Sequence, residues 1–315
     1  MAASAFLPIG SVPRADLARL WDEESAMWAQ DLRWNFAPTR GRLEAAFAEG
    51  TLSGLVASDD LGACAYATYA VDGDRGVVGS VFSAKRARGR GTEALLVYRI
   101  LNHLQALSPR IIDCQTLFSS DPRLREPFTA QGFESAARVY MTIERPVWLA
   151  SRAVPPKGPG SKPTHRTDLR AVSRLVFEAH RETRAFDASS SFDTLDSCEK
   201  ILGQIVVDEV CGPFDSMGSR RIEVDGLLVA ASLLTWPLPG VAHVSEVATS
   251  ASHRRLGLAR RCLYESLQSA FERSGASSAT LSVTASNHAA LALYGSVGFV
   301  PRIRYESHVL RRPAR

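Results

Sequence analysis

Val241 to Arg261 reads VAHVSEVATSASHRRLGLARR, and the fold turns on this stretch. Its first nine residues have the apolar character of a strand, and its end opens an amphipathic helix that continues as RCLYESLQSAFERSG. A helix beginning there presents unpaired N–H groups and the positive end of its dipole. Gly257 and Ala259 remove side-chain bulk so that a pyrophosphate can approach the backbone, while Arg254, Arg255, Arg260 and Arg261 add charge for other phosphates. The loop therefore reads as an anion site. It is not a P-loop, because no Gly-Lys-Ser/Thr follows, and the G-x-G-x-x-G spacing of a dinucleotide fold is absent. The competing reading is an ordinary surface helix that happens to begin with glycine and arginine.

Working outward, Asp168 to about Thr183 and Thr194 to about Glu209 have helical periodicity. The run RRIEVDGLLVAASLLTW places a strand on each side of Asp225-Gly226, a strong hairpin dipeptide, and Pro237 to Gly240 turns the chain into Val241 to Thr249. After the loop and its helix come a strand at Ala279 to Thr284, a short helix at about His288 to Val297 and a last strand through Ile303 to Leu310. The order is helix, helix, three strands, helix, strand, helix, strand. This is an α+β arrangement, a mixed sheet covered by helices, with a ligand expected at the loop after the third strand.

The first half echoes the second. Lys85 to Gly91, KRARGRG, precedes a helical pattern just as HRRLGLA does, and Arg86, Gly89 and Gly91 lie 168 residues before Arg254, Gly257 and Ala259. Gly132 of AQGFE stands 166 residues before Gly298 of SVGFV. Between the copies, Ala153 to Thr164 is AVPPKGPGSKPT, a Pro/Gly linker. The expected division is residues 1–150, a linker at 151–164, and residues 165–315.

Composition narrows the function. The chain has 315 residues and a net charge of +4 from 37 Lys and Arg against 33 Asp and Glu, too weak a field to imply nucleic-acid binding in bulk. No aromatic residues alternate with the KRARGR charges, which argues against a nucleic-acid patch there. The N-terminus lacks a charged segment before its short apolar stretch, and nowhere do about 18 apolar residues run together, so neither secretion nor membrane partnership is expected. Five scattered cysteines with no C-x-x-C pair fit neither zinc nor a disulfide framework, so no metal is expected and a cytoplasmic setting is the default.

Leu281 to Phe299, LSVTASNHAALALYGSVGF, then joins the loop at its expected distance. A strand ending at Thr284, Asn287 beyond it, AALALY and GF, with R-x-x-G-x-A on the preceding helix, resemble the GCN5-related N-acetyltransferase (GNAT) family over about Ala242 to Leu310. With the weaker first-half match the chain resembles a tandem GNAT protein, an arrangement similar to mycothiol synthase. The resemblance implies two tandem GNAT-like domains and acetyl-CoA as donor. It places the pyrophosphate on the amides of Arg255, Leu256, Gly257, Leu258, Ala259 and Arg260, with Arg254 among the donor-binding charges, and the pantetheine along Val247, Ala248 and Thr249. Tyr294 takes the position of the phenol that protonates the departing thiolate, against a core role on an apolar helix face. Asn287 reads as a helix cap, to which the resemblance adds a pantetheine contact.

The base is open between two residues of one strand. His243 falls where several family members carry a catalytic glutamate, and Glu246 at another commonly acidic position. Alternation puts them on opposite faces unless a bulge intervenes. The Val247 amide is the expected oxyanion donor. In the first half, Phe128 stands at the position of Tyr294 and Asp121 at that of Asn287, and Pro122 and Pro127 interrupt the matching helix. That domain is expected to be silent while retaining Arg86, Gly89 and Gly91 for CoA. Trp21, Trp28, Trp34 and Phe36 suit a helix packed on a sheet, and His180, Glu182, Phe186 and Asp187 border an acceptor pocket by family analogy. The expected activity is acetyl transfer to a primary amine, on a small molecule or a peptide, by a monomer or homodimer. The alternative is a noncatalytic CoA-binding sensor or interaction protein of the same fold. Direct attack leaves no role for Cys211 or Cys262 as nucleophiles.

Overall fold

A computed structural model describes residues 5–118, 122–151, 158–183 and 188–313. The chain forms two compact units, Met1–Ala137 with Arg304–Arg315, and Arg138–Ile303. Their elements run β1 (Ala5–Pro8), α1 (Arg14–Met27), α2 (Ala37–Ala48), β2 (Ser53–Asp59), β3 (Gly62–Asp72), β4 (Arg75–Ser83), α3 (Thr92–Leu107), β5 (Ile111–Thr116), α4 (Arg125–Ala130) and β6 (Glu134–Glu144). They continue with α5 (Arg145–Ala150), β7 (Lys162–Pro163), α6 (Leu169–Thr183), α7 (Leu195–Val206), β8 (Arg220–Val224), β9 (Leu227–Leu238), β10 (Val241–Thr249), α8 (Leu258–Gln268), β11 (Ser278–Thr284), α9 (His288–Val297) and β12 (Val300–Arg311). Among the described residues no helix is long and apolar enough to cross a membrane.

In the first unit the strands follow β1-β2-β3-β4-β5-β12, antiparallel except for the parallel pair β4–β5. Alternation sorts the strand residues to two cores. Val56, Tyr66 and Phe82 face α1, with Leu17, Leu20 and Trp21. Their neighbours Ala57, Ala65, Ala67 and Val81 face α3, whose Leu96, Val97, Ile100, Leu101 and Leu104 form one helical stripe.

The second unit repeats this plan in the order β6-β11-β10-β9-β8-β7. Residues 138–144 of β6 pair antiparallel with β11, sending Val139, Met141 and Ile143 into the core under α8. α6 and α7 cover the other face, where Val172, Leu175 and Val176 meet Cys198, Leu202, Ala231, Leu233 and Ala248. Thr194 caps α7, its hydroxyl accepting from Ser197 N at 3.1 Å. At the β8–β9 hairpin Asp225 and Gly226 both have positive φ, 51° and 77°, the turn whose twist matches the strands it joins.

The mixed α/β architecture expected from the sequence is what forms. The units, however, do not divide at 151–164. From Arg138 onward the chain before that segment belongs to the second unit, and from Arg304 onward the last strand belongs to the first, where Glu306 to Arg311 pair with Thr116 to Ile111. Each half thus completes its sheet with a terminal strand from the other half of the sequence.

Candidate functional site

β10 is parallel to β11 over four residue pairs, from Val241↔Ser278 to Val244↔Leu281, and there the ladder with β11 ends. On its other side β10 stays paired with β9 as far as Thr249↔Ala230. Ser245 to Thr249 therefore diverge from β11, and the sheet splits between two strands that run on in the same direction. A β-bulge lies at the split, between Val244 and Glu246.

That bulge resolves the parity of the two candidate bases. Ala242 and Val244 enter the core beneath α8, and Val247 packs against it, whereas Ala248 joins the α6–α7 core. Glu246 reaches α6, its Oε1 3.5 Å from His180 Nε2. His243, between Ala242 and Val244, points to that same α6–α7 face, so the extra residue brings His243 and Glu246 to one side. Their environments differ. His243 is buried, its Nδ1 lies 2.9 Å from Thr280 Oγ1, and its ring stacks on Tyr140 with centroids 6.1 Å apart. Burial pulls its pKa down to about 4, so the imidazole is neutral and a weak base near pH 7. Glu246 is half-buried, and its Oε1 also accepts from the Val247 N–H at 3.1 Å.

Tyr294 comes from α9, beyond β11. Its ring lies in the core with an edge-on contact to Phe299, centroids 6.2 Å apart. Burial, with the charge of Glu246 added, pushes the hydroxyl well above the usual phenol range, so it holds its proton at any physiological pH. Val247 packs against the same core that holds the Tyr294 ring. Asn287 caps α9, accepting from Ala290 N at 3.1 Å, which satisfies the reading of this residue as a cap.

The arginine loop closes the site. Arg255 and Gly257 both take left-handed φ, 63° and 79°, and Gly257 is the N-cap of α8 with no side chain capping the helix. A Cβ added at Gly257 would meet nothing within 4 Å, so the backbone lies open to an approaching ligand. Arg255, Leu256 and Arg260 are exposed and Ala259 is half-buried. Leu258 is buried with Cys262 and Ile222, and Ala248 is buried too, so these two can offer a ligand only their backbones. Arg254 is spoken for, donating to Ala179 O at 3.2 Å near the end of α6, and Arg261 pairs with Glu265 at 2.8 Å. At the mouth of the split Thr249 Oγ1 is buried and without a partner among the described residues. A helix start with no side-chain cap, two exposed arginines and an orphaned hydroxyl beside a split sheet suit an extended ligand with phosphates at one end.

Residues 196–299 match the model of the acetyltransferase (GNAT) family. This segment is a GNAT domain. No curated protein matches the chain. Solved structures do: a GCN5-related N-acetyltransferase from Sphaerobacter thermophilus aligns at TM-score 0.63 and 21% identity over 100% of this chain and 98% of that one. A tandem GNAT protein from the clavulanic acid biosynthesis pathway aligns at TM-score 0.56 and 14% identity over 99% of both. A GNAT-family acetyltransferase from Colwellia psychrerythraea aligns at TM-score 0.51 and 12% identity over 98% and 100%. These likenesses show the fold, which is that of tandem GNAT proteins along the whole chain.

The first GNAT-like unit splits in the same way: β4 leaves β5 after Val78↔Cys114 and stays with β3 to Ser83↔Ala65. Gly89 and Gly91 have positive φ, and Gly91 caps α3. The loop is differently occupied, though. Arg86 is bound to Asp59 at 3.1 Å and to Ala63 O at 2.7 Å, and the Arg123 guanidinium donates to Gly89 O at 2.8 Å and lies over Gly91. Phe128 is fully buried and stacks face-on with His308, centroids 3.7 Å apart. Of Trp21, Trp28, Trp34 and Phe36, Trp21 is core on the inner face of α1, while Trp28 stacks on Phe36 at 5.3 Å and touches Trp34 at 6.3 Å.

Asp121, Phe186 and Asp187 lie outside the described residues, as does the side chain of Glu182. His180 stacks on Phe192 at 3.8 Å, a contact not expected from the sequence. Thr280 and Tyr140, which fix His243, and Arg123, which covers the first loop, carry no motif by which the sequence could have announced them. Each acts through a contact between residues 34 or more positions apart.

Proposed function

We propose that the second domain transfers an acetyl group from acetyl-CoA to a primary amine by direct attack, and that the first domain does not turn over. The observation that carries this reading is the split between β10 and β11, with the Glu246 carboxylate and the Val247 amide at it, the Tyr294 ring in the core that Val247 packs against, and an exposed phosphate loop behind. Acetyl-CoA, when bound, supplies a thioester carbonyl already activated for attack. The loop from Arg255 to Arg260 holds its phosphates, Val247 to Thr249 offer backbone groups to its pantetheine arm, and Thr249 Oγ1 gains a partner. The Val247 N–H polarises the carbonyl.

An ammonium acceptor must lose two protons to become an amide. Glu246 takes the first, directly or through water, and frees the nitrogen lone pair. Glu246 is assigned this role over His243, because the buried imidazole is too weak a base near neutrality. As the carbon–sulfur bond breaks, Tyr294 donates its proton to sulfur and is reprotonated from the acceptor side, where the second proton is released. The acceptor, a small-molecule or peptide amine, enters between α6 and the strand, beside His180 and Phe192.

For the first domain, Phe128 has no proton to give and its ring is closed against His308. Arg86, Gly89 and Gly91 remain as a loop for CoA binding without turnover. The chain works in the cytoplasm in this reading, as a monomer or homodimer. A noncatalytic sensor would have no use for the Tyr294 hydroxyl, so the test is thiol release from acetyl-CoA across an amine library. Turnover by the native protein that Tyr294→Phe abolishes supports the enzyme. Calorimetric binding of acetyl-CoA with no turnover on any amine leaves the sensor, and no binding at all refutes both.

A further inference from the structure

One atom, Glu246 Oε1, meets two nitrogens. It accepts from the Val247 N–H at 3.1 Å and lies 3.5 Å from His180 Nε2. The His180 ring is itself fixed, stacked on Phe192 at 3.8 Å with the planes 11° apart. Val247 lies on the part of β10 that has lost its β11 neighbour, so its amide borders the split rather than a continuing β10–β11 ladder. The side chain of the preceding residue thus sits on the donor that an incoming carbonyl needs.

From this we infer that Glu246 is a two-position carboxylate: His180 parks it over the Val247 amide until a thioester carbonyl displaces it, and only then is it free to receive the acceptor's proton. His180 is a positioning residue in this scheme, acting through Glu246. The inference rests on the proposed function and adds an order to it. Acetyl-CoA must bind first, because the base is occupied until the carbonyl arrives, and free CoA, which has no carbonyl at that point, leaves Glu246 in place. After the transfer Glu246 gives its proton to solvent, and as the carbonyl departs the regenerated carboxylate returns to the amide, which favours release of product. No proton moves in the displacement itself; one acceptor on the amide is exchanged for another.

The test compares acetyl-CoA with free CoA as probes, by titration calorimetry on the full chain. Displacing the carboxylate penalises acetyl-CoA alone, so removing it in Glu246→Ala lowers the ratio Kd(acetyl-CoA)/Kd(CoA) by about 5-fold, the size of one net hydrogen bond. His180→Phe keeps a ring on Phe192 but loses Nε2, and it shifts the ratio part of the way in the same direction. His180→Gln, which restores an N–H donor, returns it toward the native value. A ratio unchanged in Glu246→Ala and His180→Phe, with both probes still binding, overturns the inference and leaves the acetyltransferase reading intact. Failure of the native protein to bind either probe overturns both. A second readout is kinetic: product-inhibition patterns for the native protein are those of ordered addition with acetyl-CoA leading, and random-order patterns overturn the scheme even if the variants fold poorly.

Discussion

Replacing Gly257 by alanine separates two demands made on one residue, because a second glycine supplies the control. Gly257 has φ 79° and Gly226, in the β8–β9 hairpin, has φ 77°, and an added Cβ would meet nothing within 4 Å at either position. The folding cost of alanine is then the left-handed backbone alone, about 1 kcal/mol at each site. In the proposed reading only Gly257 lies where phosphates approach, at the start of α8. A methyl there interrupts one charge-assisted N–H contact, about 1.4 kcal/mol or tenfold in affinity. With acetyl-CoA at about 100 times the native Kd, ligand stabilisation is about 2.7 kcal/mol for the native protein and Gly226→Ala, and about 1.4 kcal/mol for Gly257→Ala. Urea unfolding followed by tryptophan fluorescence, with and without acetyl-CoA, reads both numbers, and calorimetry gives the Kd directly. Equal ligand stabilisation in the two glycine variants would refute the assignment of the loop as the phosphate site.

Four other outcomes follow from the same structure. Tyr294→Phe lowers kcat by about 10²- to 10⁴-fold with little change in the KM for acetyl-CoA, since the hydroxyl serves only the departing thiolate; steady-state thiol release checks this, and an equal rise in KM would contradict it. Phe128→Tyr does not awaken the first domain: a hydroxyl added to a ring stacked at 3.7 Å on His308 costs about 1–3 kcal/mol of stability, and turnover after inactivating the second domain with Tyr294→Phe stays at background. Burial lowers the folded pKa of His243 to about 4 from 6.5, so the unfolded chain binds the extra proton between those values and stability falls as pH drops from 6.5 to 4, by about 3 kcal/mol. His243→Asn flattens that window by about one proton in the slope of unfolding free energy against pH. Deleting Arg304–Arg315 removes the strand paired with β5, so limited proteolysis cuts the first unit while Arg138–Ile303 stays protected.

Much of the second domain was legible because its signals are local. Asp225-Gly226 names its own turn, Thr194 its own cap, and the spacing of Gly257 and Asn287 places two helix starts from residues that act within their own loops. What the sequence could not carry was pairing at a distance. Residues 138–144 read as the end of the first half, and their alternation of Val139, Met141 and Ile143 is satisfied equally by either sheet; only the assembled cores decide that they join β11. The bulge at Ser245 was invisible for the same reason, since period-2 alternation runs through HVSEVA without a glycine or proline to mark it. Yet that one residue moves Glu246 to the face of His243. Both candidates therefore face the same side, and what separates them is burial, which leaves the His243 imidazole neutral and weakly basic.

The two units hold a natural comparison of what that bulge is for. β4 is irregular at Gly79 and Ser80, at the place where β10 is irregular at Ser245, just before Glu246. In the second unit the strand supplies the carboxylate and the helix supplies His180. In the first unit the partners are reversed: Ser80 is on the strand, and the carboxylate, Glu24, comes from α1, three residues from its end as His180 is from the end of α6. Glu24 is buried beneath the Tyr66 hydroxyl and Trp28 Nε1, and burial raises its pKa to about 7. A buried carboxyl that accepts from two aromatic donors is satisfied where it stands. Glu246, by contrast, is half-buried and held by a neighbouring amide and one imidazole, contacts that an entering carbonyl can replace. Moving Glu24 to the strand in Ser80→Glu/Glu24→His would test the difference: without a phenol at Phe128 the exchange yields no turnover, but it frees the Trp28 indole from its acceptor and changes the fluorescence of the first unit. An unchanged spectrum would mean that Glu24 does not hold Trp28, and the contrast between a sealed carboxylate and a releasable one would fall.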